Sequence, residues 1–147
     1  MTPGFRPGPE PAGLVALALL AADRLTKLIV SQGEEVLTAG PVTVAALVNR
    51  SGVLGLPLGN TLLVAAGTVI IVGIAALLLR VRRPSVRVGL WLLLAGALGN
   101  TVDRLLYGGV LDIIAIGPSS HFNLADVLIL LGGLALFISV WRKDGGD

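Results

Sequence analysis

The chain has 147 residues, of which 54% are hydrophobic and 14% are charged, and its formal net charge is +2. A soluble globular domain carries roughly 25% charged residues, so this composition indicates an integral membrane protein of one domain. The small net charge, without a basic groove lined by aromatic residues, argues against nucleic-acid binding. The absence of cysteine excludes disulfides, thiolate metal sites and cysteine nucleophiles.

Four apolar segments are long enough to cross a membrane. The hydrocarbon core of a bilayer is about 30 Å thick, and a helix needs about 20 residues to cross it. Segments of that kind lie at residues 13–31, 61–80, 86–106 and 124–141. Glycines that allow close helix packing in lipid lie within them, at positions 67, 73, 96, 99, 132 and 133. The sequence therefore predicts an all-α membrane protein whose four transmembrane helices form a compact bundle.

The segments outside the helices divide into two tails and a structured connection. Residues 1–12 contain four prolines and predict a disordered cytoplasmic tail, and residues 142–147 predict a second one. Residues 13–141 between them form a single transmembrane domain. The connection 32–60 contains a turn at Gly40-Pro41 and the β-favouring run Val42-Thr43-Val44. We therefore expect a small extracytoplasmic cradle of strands and loops between helices 1 and 2.

The distribution of arginine and lysine predicts how the helices cross the membrane, because positive flanks favour the cytoplasm. The connection between helices 2 and 3 and the C-terminal tail carry most of these residues, at positions 80, 82, 83, 87, 142 and 143. The connections 32–60 and 107–123 contain only Arg50. We expect a multi-pass protein of the cell membrane with both termini in the cytoplasm and these two connections outside.

Two carboxylates lie at the outer ends of consecutive spans, Asp103 at the exit of span 3 and Asp126 at the entrance of span 4. A charged side chain in the hydrocarbon layer costs at least ~2.5 kcal/mol, so the pair indicates a functional site. Asn123 is a good N-cap, which puts Asp126 in the first helical turn, where the helix dipole favours the ionised carboxylate. Asp103, near a helix C-terminus, is less readily ionised. This pattern is typical of an aspartic dyad that hydrolyses peptides, with Asp126 as the base.

Other polar residues near this site have structural and functional interpretations. Asp23 and Lys27 are spaced as an i,i+4 pair, which either stabilises helix 1 or supports the dyad from behind. Arg104 either anchors its helix at the membrane interface or orients a carboxylate. Three asparagines can satisfy backbone groups, although for the first we favour contact with a substrate backbone. They are Asn49, Asn100 and Asn123.

Two further polar residues lie in the connection 107–123. Asp112 adjoins the apolar pair Ile113-Ile114 and can be read as an ordinary loop charge. His121 is the only histidine, and one histidine makes neither a zinc site nor a catalytic triad. We therefore expect His121 to be a loop residue at the membrane interface, and we predict no metal site.

Five motifs occur in an order that resembles a known family. They are Asp23-Arg24-Leu25-Thr26-Lys27, Asn49-Arg50-Ser51-Gly52-Val53-Leu54-Gly55, Gly96-Ala97-Leu98-Gly99-Asn100-Thr101-Val102-Asp103-Arg104, Val110-Leu111-Asp112 and Phe122-Asn123-Leu124-Ala125-Asp126. Over residues 13–141 the chain resembles bacterial lipoprotein signal peptidase, or signal peptidase II. The family's four spans and cytoplasmic termini agree with the topology expected above.

The resemblance implies an aspartic endopeptidase that removes signal peptides from prolipoproteins, cutting before a cysteine that carries a diacylglyceryl group. It implies no metal or other cofactor, and the partners are lipidated substrates and membrane lipid. The expected enzyme is a monomer. The family's dyad is assigned to Asp103 and Asp126. Supporting roles fall on Asp23, Lys27, Asn49, Asn100, Arg104, Asp112, Asn123 and Ala125.

Four positions depart from the usual pattern of the family, namely Ser51, Leu54, Ala95 and Ile113. None of them removes a carboxylate of the predicted dyad. Two alternative functions stay open on the sequence. One is a relative that binds lipidated substrates without cutting them. The other is a small ion-coupled transporter, in which an intramembrane acid such as Asp23 relays protons.

Overall fold

The computed structural model describes residues 10–33, 37–51, 58–117 and 120–144, with side chains as far as residue 142. In chain order the elements are α1 (Pro11–Gln32), β1 (Leu37–Ala39), β2 (Val42–Asn49), α2 (Asn60–Arg80), α3 (Pro84–Tyr107), β3 (Val110–Ile116), β4 (Ser120–Phe122) and α4 (Leu124–Asp144). The predictions for residues 1–9, for Leu54 and for residues 145–147 lie outside the described residues.

The four helices coincide with the four predicted spans to within a few residues at each end. Pro11 and Pro84 begin α1 and α3, in the first turn, where proline is tolerated because its missing N–H has no helical partner. Helix α1 thus starts inside the expected N-terminal tail. Helix α3 ends at Gly108, whose left-handed backbone (φ 70°) is easily adopted by glycine.

Three helices of the described chain are long and apolar enough to cross a membrane, namely α2, α3 and α4 as far as Arg142. Helix α1 has 22 residues, but its interior carries Asp23, Arg24 and Lys27. The predicted number of long helices is therefore present, whereas apolarity alone identifies three spans. Many outward leucines and valines are exposed, up to 83% for Leu79, as expected for surfaces that face lipid.

Helix α3 lies at the centre of the bundle and packs against α4, α2 and α1. Its approach to α4 depends on small residues. A Cβ atom added at Gly96 would lie 2.5 Å from the carbonyl oxygen of Ala125, and one at Gly99 would lie 2.9 Å from the Ala125 Cβ. Close packing of this kind supplies much of the helix association in lipid, where burial of apolar surface adds little. Gly96 and Gly99 therefore allow the close helix packing that was predicted for the glycines. A Cβ atom added at Gly73 or Gly133 would have no neighbour within 4 Å.

A four-stranded antiparallel sheet caps one end of the bundle, in the order β1-β2-β3-β4. The predicted cradle between helices 1 and 2 accounts for β1 and β2. The other half of the sheet was missed, because β3 and β4 come from the connection between α3 and α4. The β3 sequence Val110–Ile116 is rich in β-branched residues, which favour strands. Pairing of Leu47 with Asp112 brings the two connections together.

The opposite end of the bundle is held by one glutamate. Glu10 precedes α1 and accepts hydrogen bonds from Arg87 and from the Trp91 indole at the start of α3. Arg87 also donates to the carbonyls of Leu78 and Val81 at the end of α2. The hydrogen bonds from Arg87, and then from Trp91, hold the pKa of Glu10 at about 2. The contact joins three helices at this end.

Candidate active site

A cavity of about 380 Å³ opens where the sheet meets the adjoining ends of α3 and α4. Its lining contains both polar residues and apolar ones, including Ile129 and Leu130 of α4. The full lining is Asn49, Ser51, Asn100, Arg104, Val110, Asp112, His121, Asp126, Ile129 and Leu130. Two carboxylates, Asp112 and Asp126, therefore face the same space.

Asp126 is held at the N-terminus of α4 by a reciprocal cap. The Asn123 side-chain oxygen accepts the Asp126 backbone N–H at 3.1 Å, and Asp126 Oδ2 accepts the Asn123 backbone N–H at 3.1 Å. Asp126 Oδ1 accepts a hydrogen bond from the Asn100 amide at 2.7 Å. The predicted cap by Asn123 and the position of Asp126 in the first helical turn are confirmed.

Asp112 lies on β3 and is 2% exposed. Its Oδ2 accepts from the Asn49 amide at 3.1 Å, and its Oδ1 accepts from the Asn123 amide at 2.9 Å. Burial raises the pKa of Asp112, and the nearby charge of Asp126 acts in the same direction. The hydrogen bonds from Asn49 and Asn123 oppose the rise without cancelling it.

Asn123 joins the two carboxylates, since its side-chain amide binds Asp112 while its backbone N–H binds Asp126. The sequence analysis gave Asp112 a supporting role and read it as a loop charge. The structure places it in a strand, at the cavity. An acid inside the apolar run Val110–Ile114 was the signal that could have suggested a buried functional carboxylate.

Asp103 lies elsewhere, behind the cavity and toward α1. Its side chain is fully buried and accepts from Arg24 Nη1 at 2.7 Å, Lys27 Nζ at 2.6 Å and the Leu111 backbone N–H at 3.1 Å. It does not belong to the lining of this cavity. The structure thus brings Asp126 together with Asp112, and it brings Asp103 together with two cations.

Asp23 and Lys27 also lie behind the cavity. Lys27 Nζ is 3.1 Å from Asp23 Oδ2, as the i,i+4 spacing predicted, and it bridges to Asp103 as well. Asp23 Oδ1 accepts the backbone N–H of Ala125, the residue before Asp126. Arg24, which the sequence analysis did not single out, binds both Asp23 and Asp103.

Two polar atoms of the cavity lining have no hydrogen-bond partner among the described residues. They are the Asn100 side-chain oxygen and Arg104 Nη1, both buried. Arg104 does not pair with the adjacent Asp103, and its Nη2 donates to the Ser51 carbonyl at 3.0 Å. His121 also lines the cavity, although the sequence analysis treated it as an interfacial loop residue. The described residues contain no group of three potential metal ligands.

The fold thus combines apolar helices beneath a small sheet with two cavity carboxylates that share one asparagine. The Signal peptidase (SPase) II family model matches residues 15–142. The chain therefore belongs to the signal peptidase II family, and the resemblance of its motifs is confirmed. It is accordingly an aspartic peptidase and a multi-pass protein of a bacterial membrane.

Individual relatives agree with this family. The chain is 34% identical to the lipoprotein signal peptidase of Methylorubrum extorquens (strain PA1), over 89% of this chain and 86% of the relative. It is 36% identical to that of Rhodopseudomonas palustris (strain ATCC BAA-98 / CGA009), over 85% of this chain and 86% of the relative. A bacterial membrane enzyme solved at 2.3 Å resolution has the same fold, with a TM-score of 0.82 and 24% identity over 92% of this chain and 90% of that one.

Proposed function

We propose that this chain removes signal peptides from diacylglyceryl-modified prolipoproteins, and that Asp112 and Asp126 are its catalytic pair. The observation that carries the assignment is the convergence of these two carboxylates on Asn123 at one cavity. The relatives named lipoprotein signal peptidases support the substrate class.

The geometry favours Asp112 over Asp103 as the partner of Asp126. A catalytic carboxyl has to reach the substrate, and Asp112 lines the cavity. Asp103 has both oxygens engaged by Arg24, Lys27 and the Leu111 backbone.

The environments of the pair divide the acid and base roles. Burial raises the pKa of Asp112, which favours this carboxyl as the member of the pair that carries the proton and polarises the scissile carbonyl. Asp126 lies at the positive end of α4 and acts as the base that deprotonates water. The resulting hydroxide attacks the carbonyl carbon, and the C–N bond breaks as the leaving nitrogen receives a proton from the pair.

The two cavity atoms that have no partner within the described part of the chain suit an extended substrate backbone. The Asn100 oxygen accepts a substrate N–H, and Arg104 Nη1 donates to a substrate carbonyl, which satisfies both buried groups. Asn49 positions Asp112 in this scheme, because its amide donates to Asp112 and its oxygen accepts from the Ser51 backbone N–H. The apolar wall at Ile129 and Leu130 faces the diacylglyceryl group.

The membrane arrangement follows from charge. We assign α1 as the fourth span, since Asp23, Arg24 and Lys27 are compensated by one another and by Asp103. Both termini lie in the cytoplasm, because the arginines cluster at the connection between α2 and α3. The cavity then opens at the outer face, where lipidated substrates are anchored. The enzyme acts as a monomer and needs no cofactor.

The alternative functions gain no support from the structure. A proton-relay transporter needs an acid that exchanges protons, whereas Asp23 is fully buried and bound by Arg24 and Lys27. The non-cleaving alternative is not favoured, since both carboxylates of the proposed pair are present at the cavity.

The experiment is cleavage of a purified diacylglyceryl prolipoprotein by the purified protein in detergent, followed as a mobility shift on a gel. Wild type should cleave the substrate, while Asp126→Asn and the same prolipoprotein without its lipid should give no product. Thr38→Ala, an exposed substitution on β1, serves as the control and should cleave normally. Binding of the lipidated substrate by wild type without any cleavage would establish the non-cleaving alternative.

A further inference from the structure

Four charged side chains form a cluster behind the cavity, which we call the charge cluster: Asp23, Arg24, Lys27 and Asp103. Two acids and two cations make it neutral. The side chains of Asp23 and Asp103 are fully buried, that of Lys27 is 2% exposed and that of Arg24 is 28% exposed. Each cation contacts both acids, so the cluster is one connected unit between α1 and α3.

Both acids of the charge cluster also accept a backbone N–H from outside it. Asp103 accepts from Leu111 at 3.1 Å, and Asp23 accepts from Ala125 at 3.0 Å. Leu111 immediately precedes Asp112, and Ala125 immediately precedes Asp126. The backbone on each side of the catalytic pair is therefore tied to a different acid of the same cluster.

These two hydrogen bonds link the separation of Asp23 and Asp103 to the separation of Asp112 and Asp126. Arg24 bridges these acids with one rigid group, since Nε and Nη2 bind Asp23 at 3.1 and 2.5 Å while Nη1 binds Asp103 at 2.7 Å. A planar guanidinium fixes the direction of each hydrogen bond. Lys27 supplies a point charge to both acids, and its rotatable ammonium imposes less geometry.

We propose that Arg24 is a positioning residue for peptide cleavage, which holds Asp112 and Asp126 at their working separation through Asp103 and Asp23. The proposal rests on the proposed function. The alternative to positioning is a purely structural role, in which Arg24 only offsets the buried negative charge. A lysine at this position would perform that structural role as well, because it carries the same charge.

Arg24→Lys therefore separates the two roles. It keeps the positive charge and removes the planar guanidinium. The protein should therefore fold with an unchanged melting temperature and bind substrate with an unchanged KM. The kcat should fall by about 10- to 100-fold, because a small displacement of catalytic groups has effects of that size. Arg82→Lys is the same substitution on an exposed arginine in the connection between α2 and α3. It is the matched control and should leave kcat unchanged.

A double variant, Asp23→Asn with Arg24→Gln, covers the case in which Arg24→Lys does not fold. This variant keeps the charge cluster neutral, and the side-chain oxygen of the new asparagine still accepts the Ala125 N–H. The guanidinium that bridges the two acids is absent. The kcat of this variant should fall as well. A wild-type kcat in whichever of these variants folds would overturn the proposal and leave Arg24 with charge compensation only.

A readout that needs no cleavage distinguishes this proposal from the proposed function. Infrared titration of the carboxyl stretch follows protonation of the Asp112–Asp126 pair in wild type and in Arg24→Lys, with Asp112→Asn used to assign the band. The charged groups that act on Asp112 are Asp126, Lys27 and Arg104, and the titratable His121 lines the same cavity; the variant retains all four residues. The titration midpoint should move in Arg24→Lys and stay in Arg82→Lys. If wild type does not cleave, the proposed function fails, and an unmoved midpoint additionally rejects the positioning role.

Discussion

The two carboxylates at the cavity differ in what surrounds them. Asp112 lies in a buried strand and receives two amide hydrogen bonds, from Asn49 and Asn123. Asp126 sits at a helix N-terminus, where the backbone N–H groups favour negative charge. The same asparagine binds both groups. In the proposed mechanism, this difference assigns the proton of the pair to Asp112.

The pH dependence of cleavage tests that assignment. Activity requires protonated Asp112, so kcat should decline at alkaline pH as this carboxyl loses its proton. The Asn49 amide stabilises the charged form and lowers the pKa of Asp112. Asn49→Leu removes the donor and keeps the branched shape of the side chain, so the pKa of Asp112 should rise and the alkaline decline should move to higher pH. The measurement is kcat against pH for both proteins, and a downward movement would contradict the assignment.

Among the individual residues, the position of Asp126 in the first turn of its helix and the cap by Asn123 could be predicted from the sequence, because capping is a local property of a few adjacent residues. The sequence did not predict the role of Asp112, which depends on a strand pairing with a segment about 65 residues earlier. The sequence also did not predict the rotation of α3 about its axis, which determines which of its side chains reach the cavity. Gly96, Gly99 and Asp103 share the face that turns toward α1 and α4, whereas Asn100 and Arg104 reach the cavity.

At the scale of elements, the position of Asp126 depends on how closely α3 and α4 approach. The first turn of α4 lies against Gly96 and Gly99, with no room for a larger residue. The same turn is held from α1 by Asp23, through the Ala125 N–H. Packing and hydrogen bonding thus fix one end of α4 from two directions.

Gly96→Ala should disturb this approach. The added Cβ would meet the Ala125 carbonyl at 2.5 Å, so α4 must shift and carry Asp126 with it. Overpacking of this kind destabilises by about 1–3 kcal/mol, and we expect a lower melting temperature together with a loss of cleavage. Gly133→Ala is the control on α4, since its Cβ would meet no atom within 4 Å. Equal melting temperatures for the two variants would show that the close approach is unimportant.

The helices could be predicted from the sequence because long apolar segments have few alternatives in a membrane. The sheet could be predicted only in part. The run Val42-Thr43-Val44 indicated β2, whereas Val110–Ile116 was overlooked because it continues an apolar region already assigned to spans and connections. Its pairing with β2 creates the site, since Asn49 and Asp112 come from these two strands.

At the scale of the whole molecule, the bundle separates a sheet-covered end from an arginine-rich end. The sheet and cavity adjoin the end of α3 at Tyr107, while Glu10 and Arg87 join the helices at the other end. The positive-inside rule assigns the arginine-rich end to the cytoplasm. The distribution of arginine along the sequence was enough to predict which end is arginine-rich. The groups that compensate the charges of α1 could be identified only from the structure.

Single cysteines test the orientation, because the chain contains none of its own. Thr38 on β1 and Arg82 between α2 and α3 are both exposed. In intact spheroplasts, a membrane-impermeant maleimide should label Thr38→Cys and leave Arg82→Cys unlabelled until the membrane is permeabilised. Both variants should retain cleavage. Labelling of Arg82→Cys alone would invert the proposed topology and place the cavity in the cytoplasm.

The assignment of Asp112 and Asp126 as the catalytic pair is tested most directly by comparing Asp112→Asn with Asp103→Asn, for cleavage and melting temperature together. Asp112→Asn should remain folded and lose about 10²- to 10⁴-fold in kcat, because it removes the proton donor. Asp103→Asn leaves the buried Lys27 and the partly buried Arg24 short of a partner, and it should be destabilised by about 3 kcal/mol. The molecules of Asp103→Asn that stay folded should retain measurable cleavage. Normal cleavage by Asp112→Asn, with a stable but inactive Asp103→Asn, would contradict the account and return the catalytic role to Asp103.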